Sequence, residues 1–348
     1  MNSIISEQEK YLNLNHQYRS ILGKICLLSS SELESLLLGN LDALIAYGLT
    51  CKDLVRDFGL YDYIGCAETI HTVWRRIQSG EQANKIDVDK KLLFQYMSEI
   101  CMLVDNKYDK SPQTCPVCRE KSYFLPISNL FTHSFKRYNT IPKVFETLNM
   151  EEYACPNCSA SDRDRLMVMY MENTFKEVDL SGKRLLHIAP SISIENWIYS
   201  NYPELKKDTT DLYMENVTFT SDIQNMSCVA DESYDYVICS HVLEHVRDDM
   251  KAFCELKRII KKGGQIIFLV PIALDIEEID EEWGLTSEEN WHRFGQDDHS
   301  RIYSKKGLLE RITESELEVK EINNRNWGEG RFSEYGISES SVLYILTK

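Results

Sequence analysis

From residue 182 onward, short apolar runs alternate with helical segments, and few folds other than a parallel sheet wound on both faces absorb that alternation. The runs are Arg184–Ala189, Lys207–Leu212, Tyr234–Cys239 and Gln265–Val270, with helices predicted over Glu195–Tyr199 and Met250–Lys261. Lys262-Gly263-Gly264 reads as the turn into the last of these strands. Leu317–Ile322 and Ser341–Leu346 look like two further strands with no clear helix between them, which predicts an antiparallel hairpin at one sheet edge. The acidic run from Asp275 to Glu289 reads as a solvated loop or lid. The expected class is therefore α/β, with a doubly wound, mainly parallel, seven-stranded sheet.

Upstream the texture differs. In residues 1–110, Ser31-Glu-Leu-Glu34 resembles a capping box ahead of a leucine-rich helix that Gly48 closes, and Asp87–Val104 repeats the apolar spacing. An all-helical domain with a packing role, or a homo-oligomerisation role, is expected there. The division predicted is a helical domain at 1–110, a cysteine module at 111–165 and the sheet domain at 166–348. With 43% hydrophobic and 27% charged residues, the 348-residue chain is too apolar to be disordered. Its 39 Lys and Arg against 55 Asp and Glu leave a formal charge of −16, which disfavours nucleic acid or an anionic membrane as partner. The most apolar run, Ile266–Leu274, is too short to span a bilayer, and MNSIISEQEK lacks the cationic start of a signal peptide. A cytoplasmic protein is the expectation.

Of eleven cysteines, seven are scattered singly and four form Cys115-Pro-Val-Cys118 and Cys155-Pro-Asn-Cys158. A Cys-x-x-Cys knuckle puts two thiolates on one turn, and two knuckles complete a tetrahedral S4 set suited to structural zinc. The long separation between the pairs requires a hairpin or short helix between them. Lone His16, His71 and His133 read as surface or satisfied core residues.

In an open parallel sheet ligands bind beyond the carboxyl ends of the strands. The first strand runs out in His187-Ile-Ala189-Pro190-Ser191, and the second ends in Asp211-Leu212, the spacing at which a carboxylate accepts both hydroxyls of an adenosine ribose. Asp222 and the backbone N–H of Ile223 are placed to address an adenine ring. The fourth strand leads into Ser240-His241-Val-Leu-Glu244-His245-Val246.

With these residues in hand, Leu185 to about Leu317 resembles the class I S-adenosylmethionine (SAM)-dependent methyltransferases, through Ile-Cys-Ser-His-Val-Leu-Glu-His-Val and the later Leu-Lys-x-Gly-Gly-like turn. The segment Phe294-Gly-Gln-Asp-Asp-His299-Ser-Arg301-Ile-Tyr303 extends the resemblance to a bacterial subgroup in which a Cys-x-x-Cys domain precedes the fold, so that it covers roughly Cys115 to Leu317. It implies a Rossmann-like methyltransferase sheet, SAM as cofactor and a small-molecule acceptor such as a saccharide or related metabolite. The implied cofactor contacts are His187, Ala189, Pro190, Asp211, Leu212, Asp222, Ile223, Ser240 and His241. One departure is that Ala189–Ser193 lacks the glycines with which most of the family cradle the methionyl end. For the proton leaving an acceptor hydroxyl, His299 is the expected base, oriented by Asp297 or Asp298, with His245 and His241 in reserve. Arg301 and Tyr303, at alternating positions, are expected to face the same pocket, Arg301 toward an anionic acceptor.

Three other readings compete. His241-Val-Leu-Glu244-His245 fits an inverted zinc-peptidase motif on a helix, but here it follows a buried strand. A nicotinamide enzyme would use Asp211 equally well, yet the chain has no G-x-G-x-x-G after its first strand. A non-catalytic zinc-containing interaction protein on the same fold would show no adenosyl cofactor binding.

Overall fold

The computed structural model describes residues 113–348 apart from 123, 125, 126, 128, 156 and 329. The predicted helical domain 1–110, its oligomerisation role, and His16 and His71 lie outside the described residues. The two-residue strands β1 (Gln113–Thr114) and β2 (Lys121–Ser122) pair antiparallel around the first knuckle. Helix α1 (Asn129–Arg137) supplies the element needed between the knuckles. Its Phe131 and Phe135, with Tyr138 just beyond, surround the indole of Trp291 at centroid distances of 5.7 to 6.2 Å. Helix α2 (Asp162–Phe175) starts in a capping box: the Ser161 hydroxyl accepts from Asp164 N, and the Asp164 carboxylate accepts from Ser161 N.

The sheet strands follow as β3 (Arg184–Ile188), β4 (Lys206–Asp211), β5 (Phe219–Thr220), β6 (Tyr234–Ser240) and β7 (Ile260–Leu269). Helix α3 (Ile192–Asn201) joins β3 to β4, and α4 (Asp249–Ile259) joins β6 to β7. Short strands β8 (Ile272–Ala273) and β9 (Asp280–Glu281) then flank β10 (Arg301–Ser304), with α5 (Ser287–Phe294) between β9 and β10. Helix α6 (Lys305–Glu314), β11 (Glu318–Ile322), a short α7 (Arg331–Glu334) and β12 (Leu343–Thr347) complete the chain.

The seven-stranded sheet has the order β11-β12-β7-β6-β3-β4-β5, and β12 alone is reversed, being antiparallel to both of its neighbours. The predicted edge hairpin is therefore present. Strand direction and order reverse the winding between β3 and β6, so the switch point lies where those two strands end. Alternate residues feed two cores. Leu185, Ile238 and Ile267 pack on one face, and Leu186, Val237 and Ile266 on the other, all fully buried. The first of these cores also contains Cys115, Val117, Phe124, Cys155 and Ala160, so knuckles and sheet share one interior within a compact unit that begins at Gln113. A division at 165/166 falls inside α2.

Three expectations need correction. The glycine pair is not a turn outside the last parallel strand but an interruption within β7: Ile260 pairs with Tyr234, and pairing resumes only at Gln265 with Tyr236. Gly263 takes φ +75°, and a Cβ on Gly264 would stand 2.8 Å from the Asp235 carbonyl oxygen, so a side chain is excluded there by backbone. The acidic run is not wholly solvated either. Within it Asp280 accepts from Arg293 of α5 at 2.6 Å and Glu281 from Arg301 of β10 at 2.6 Å, which pins β9 against both elements. Lastly, His241 to His245 do not lie on one helix. His241 follows the end of β6, and only Leu243–His245 form a single 3-10 turn.

Candidate active site

Both central strands leave the sheet through a non-glycine residue in the left-handed region, Ala189 at φ +50° after β3 and His241 at φ +55° after β6. Each such residue costs on the order of 1–3 kcal/mol and persists only where its surroundings hold it. Here they do: Ala189 N donates to Thr210 O at 2.9 Å, and His241 N to Leu269 O at 2.8 Å. The glycine-free loop thus makes with Ala189 the bend for which glycine is the usual residue. Beyond it, the hydroxyls of Ser191 and Ser193 donate to Asp164 at 3.2 and 3.0 Å, tying the start of α3 to the capping box of α2.

At the end of β4, Asp211 Oδ1 accepts from the N–H groups of Tyr213 and Met214 at 2.7 and 2.9 Å. That turn leaves Leu212, Tyr213 and Met214 exposed beside the carboxylate, and Ile192 is 67% exposed at the start of α3. A half-buried carboxylate among exposed apolar side chains at a sheet's carboxyl edge suits a ribose and the face of an adenine. Asp222 lies just past β5, where its Oδ1 accepts from Gln224 N at 2.8 Å, and the Ile223 side chain is buried in the core. Ser240 ends β6 half-buried. Pro190 follows Ala189 into the same loop.

The His187 side chain is a correction. It is 2% exposed, and its Nδ1 stands 2.7 Å from Glu195 Oε1, while Lys207 reaches Glu195 Oε2 at 2.6 Å. Burial raises the Glu195 pKa, but His187 and Lys207 outweigh it and hold the carboxyl below its usual range. The imidazole ties β3, α3 and β4 together and is spoken for.

Across the switch point from Asp211, Glu244 is the centre of a cluster that the sequence reading did not assign. It is fully buried, with His241 Nδ1 3.1 Å and His245 Nε2 3.9 Å from its Oε1. Burial pushes its pKa up, yet His241, His299 and His245 together hold it at about 2. His299 packs edge-on against His245, with ring centroids 4.8 Å apart. Burial lowers His299 to about 3, and burial with the Arg163 guanidinium lowers His241. The expected orientation of His299 by Asp297 or Asp298 does not occur. Asp298 Oδ2 lies 3.4 Å from His245 Nδ1, and the Asp297 carbonyl accepts from Asn290.

Arg301 and Tyr303 do share a face of β10, but that face is buried. Tyr303, fully buried, donates to Asp249 Oδ2 at 2.6 Å. Arg301, 2% exposed, donates to Glu281 at 2.6 Å and to the carbonyls of Leu243 and Val246 at 2.7 and 3.0 Å. Arg311 closes the network through Asp249 and Glu281. Neither side chain is available to an acceptor. Arg301 instead holds the turn that carries Glu244.

The four knuckle sulfurs converge, with Cys115–Cys158 at 3.7 Å and Cys118–Cys155 at 3.8 Å, and all lie within 4.8 Å of one another. Four thiolates about 2.3 Å from a tetrahedral zinc would stand roughly 3.8 Å apart, so the donor set fits that ion. Without a cation, neighbouring sulfurs push two of the thiols up, Cys155 acting on Cys115 and Cys115 on Cys158. A dication reverses that cost.

Residues 201–268 match a family described as Methyltransferase domain. No curated protein matches. Among solved structures the chain is similar to a SAM-dependent methyltransferase from Archaeoglobus fulgidus, at 13% identity and TM-score 0.34, over 53% of this chain and 94% of that one. A Mesorhizobium loti SAM-dependent methyltransferase gives 10% identity and TM-score 0.35, over 51% and 96%. For the CurJ carbon methyltransferase the values are 15% and 0.34, and the match spans 53% of this chain but about half, 52%, of CurJ. No helix among the described residues is long and apolar enough to cross a membrane. The segment that matches this family runs from the end of α3 into β7 and so spans the centre of the seven-stranded sheet.

Proposed function

We propose that the protein transfers a methyl group from SAM to an oxygen or nitrogen of a small-molecule acceptor, in the crevice where β3 and β6 diverge. The sequence resemblance points to a saccharide or related metabolite as that acceptor. The observation that carries the reading is the convergence of a ribose-type carboxylate, Asp211, and an imidazole–carboxylate cluster around Glu244 at the same carboxyl edge of the sheet. When bound, SAM supplies an electrophilic methyl on a sulfonium. Asp211 would accept from the ribose hydroxyls, Leu212 and Ile192 would flank the adenine, and the bend at Ala189 would bring backbone N–H groups to the methionyl end. His241 is a better-placed base than the more deeply buried His299, because Glu244 faces its Nδ1 and leaves Nε2 to take a proton at the crevice.

Titration calorimetry on the full chain tests the reading. SAM and its demethylated product should bind, and Asp211→Ala should weaken both about ten-fold or more, as loss of a hydrogen bond to a charged group costs ~1.5–3 kcal/mol. Tight binding of a nicotinamide dinucleotide with none of SAM would transfer the assignment to that class, and binding of neither would leave an interaction protein. Zinc at the four sulfurs is proposed as structural, since four protein ligands leave no open position. A helical packing or oligomerising domain at 1–110 and a cytoplasmic setting complete the proposal.

A further inference from the structure

We propose that Glu244, His245 and His299 form a second metal site, distinct from the four sulfurs, that takes a first-row divalent transition ion. One ligand atom from each of the three lies within 4.8 Å of the others. Two of the groups are buried with polar atoms left over. The fully buried Glu244 has the 3.1 Å ion-pair contact from His241 Nδ1 at its Oε1, its Oε2 has no hydrogen bond among the described residues, and neither does His299 Nδ1. A carboxylate stripped of water costs several kcal/mol unless compensated, and a buried polar group without a hydrogen bond calls for a missing water or ion. Two such groups in one three-residue cluster call for a shared one. The ion-pair contact from His241 engages one side of Glu244 at 3.1 Å and leaves the carboxylate free to ligate on the other.

The scaffold supports a built site. Glu244 and His245 come from the 3-10 turn after β6, and His299 comes from the segment entering β10. The two segments are bound to each other, with Ser300 N donating to Glu244 O at 3.1 Å and Arg301 holding the carbonyls on either side of the turn. His245 Nδ1 lies 3.2 Å from the Asp298 carbonyl, an outer contact that fixes a ring so that Nε2 can ligate. Two imidazoles and one carboxylate suit zinc, manganese, iron or cobalt, whereas calcium and magnesium favour oxygen donors alone. Three protein ligands leave positions open for water or an acceptor oxygen. In that second role the site rests on the methyl-transfer reading, because a ligated acceptor hydroxyl would give up its proton more readily beside His241. Metal binding itself does not depend on it.

The test is cobalt(II) titration of the full chain after removal of bound metal, followed by absorption spectroscopy without SAM. Two equivalents should bind. The sulfur site gives intense thiolate-to-cobalt bands in the near ultraviolet, and the second equivalent adds only weak visible bands of nitrogen and oxygen ligation. In Glu244→Gln and in His299→Ala the second equivalent should bind about ten-fold more weakly or not at all, while the thiolate bands stay and report a folded protein. A single equivalent in the unmutated protein, showing thiolate bands only, would overturn the proposal. So would a second equivalent that binds both variants undiminished. SAM affinity, measured separately, keeps this outcome apart from failure of the methyl-transfer reading.

Discussion

At the scale of single residues, the carboxylates do different work according to what surrounds them. Asp235, at the start of β6, accepts from Lys261 Nζ at 2.7 Å, Lys183 Nζ at 3.0 Å and Arg184 N at 3.0 Å, joining three strands at their amino ends. Burial raises its pKa, but the Lys261, Arg184 N and Lys183 contacts outweigh it and hold the carboxyl below the usual range. A carboxyl whose folded pKa is depressed contributes stability above its unfolded pKa, about pH 4, and loses it as pH falls through the folded value. Asp235→Asn should therefore cost about 1–2 kcal/mol near neutrality, discounted for partial exposure, and progressively less as pH falls through the folded value. Denaturant melts of both proteins across that range check it, and a gap that persists in acid would show the loss to be packing, not charge. Asp235 illustrates the limit of reading single residues from sequence. The place of Asp211 at the end of β4 is legible from the run that precedes it, whereas Asp235 and Glu244 acquire partners only from elements remote in the chain.

At the scale of elements, the strands were legible and their decorations were not. Burial on both faces of β3, β6 and the second half of β7 follows directly from their apolar runs, and the chain's own alternation of strands and helices forecasts the winding. The motif His241-Val-Leu-Glu-His245 also fits a helix in sequence, because helical spacing and a strand end followed by one 3-10 turn contain the same letters. Likewise, alternation correctly put Arg301 and Tyr303 on one face of β10, but could not say that Asp249, Glu281 and Arg311 fill the space before it. That network makes Arg301 a positioning residue for the Glu244 turn. Arg301→Lys keeps the charge but loses the planar fork that reaches Glu281, Leu243 O and Val246 O together. It should lower turnover on an identified acceptor about ten-fold or more with SAM affinity unchanged, since Asp211 and the β3 loop lie across the switch point. Equal loss of SAM affinity would mean that the turn shapes the cofactor pocket instead.

At the scale of the whole described unit, the sulfur cluster and the sheet are not independent bodies. Cys115 and Cys155 are essentially inaccessible and belong to the same core as Leu185, Trp197 and Ile238. Arg165, also fully buried, links them. From α2 its guanidinium donates to the carbonyls of Ala160, beside the second knuckle, at 3.0 Å, and of Tyr335 and Gly336, beyond α7, at 2.7 and 2.9 Å. Its Cζ lies 3.9 Å from the centre of the Phe124 ring, and Gly336 is packed so closely on that ring that a Cβ would stand 2.3 Å from it. Loss of the proposed zinc should therefore loosen the sheet as well as the knuckles, unlike the case of a zinc module on a flexible tether. Four thiols left without their cation must reprotonate or separate in a space with no slack, and the binding free energy of a structural zinc is folding free energy. If only ~5 kcal/mol of it reaches the shared core, the melting temperature of a unit this size should fall by roughly 10–20 °C. Calorimetric scans before and after chelation, with zinc loss verified by metal analysis, measure that fall. An unchanged main transition after complete removal of zinc would show that the sheet stands without the knuckles, and that the continuity of the core carries packing but little stability.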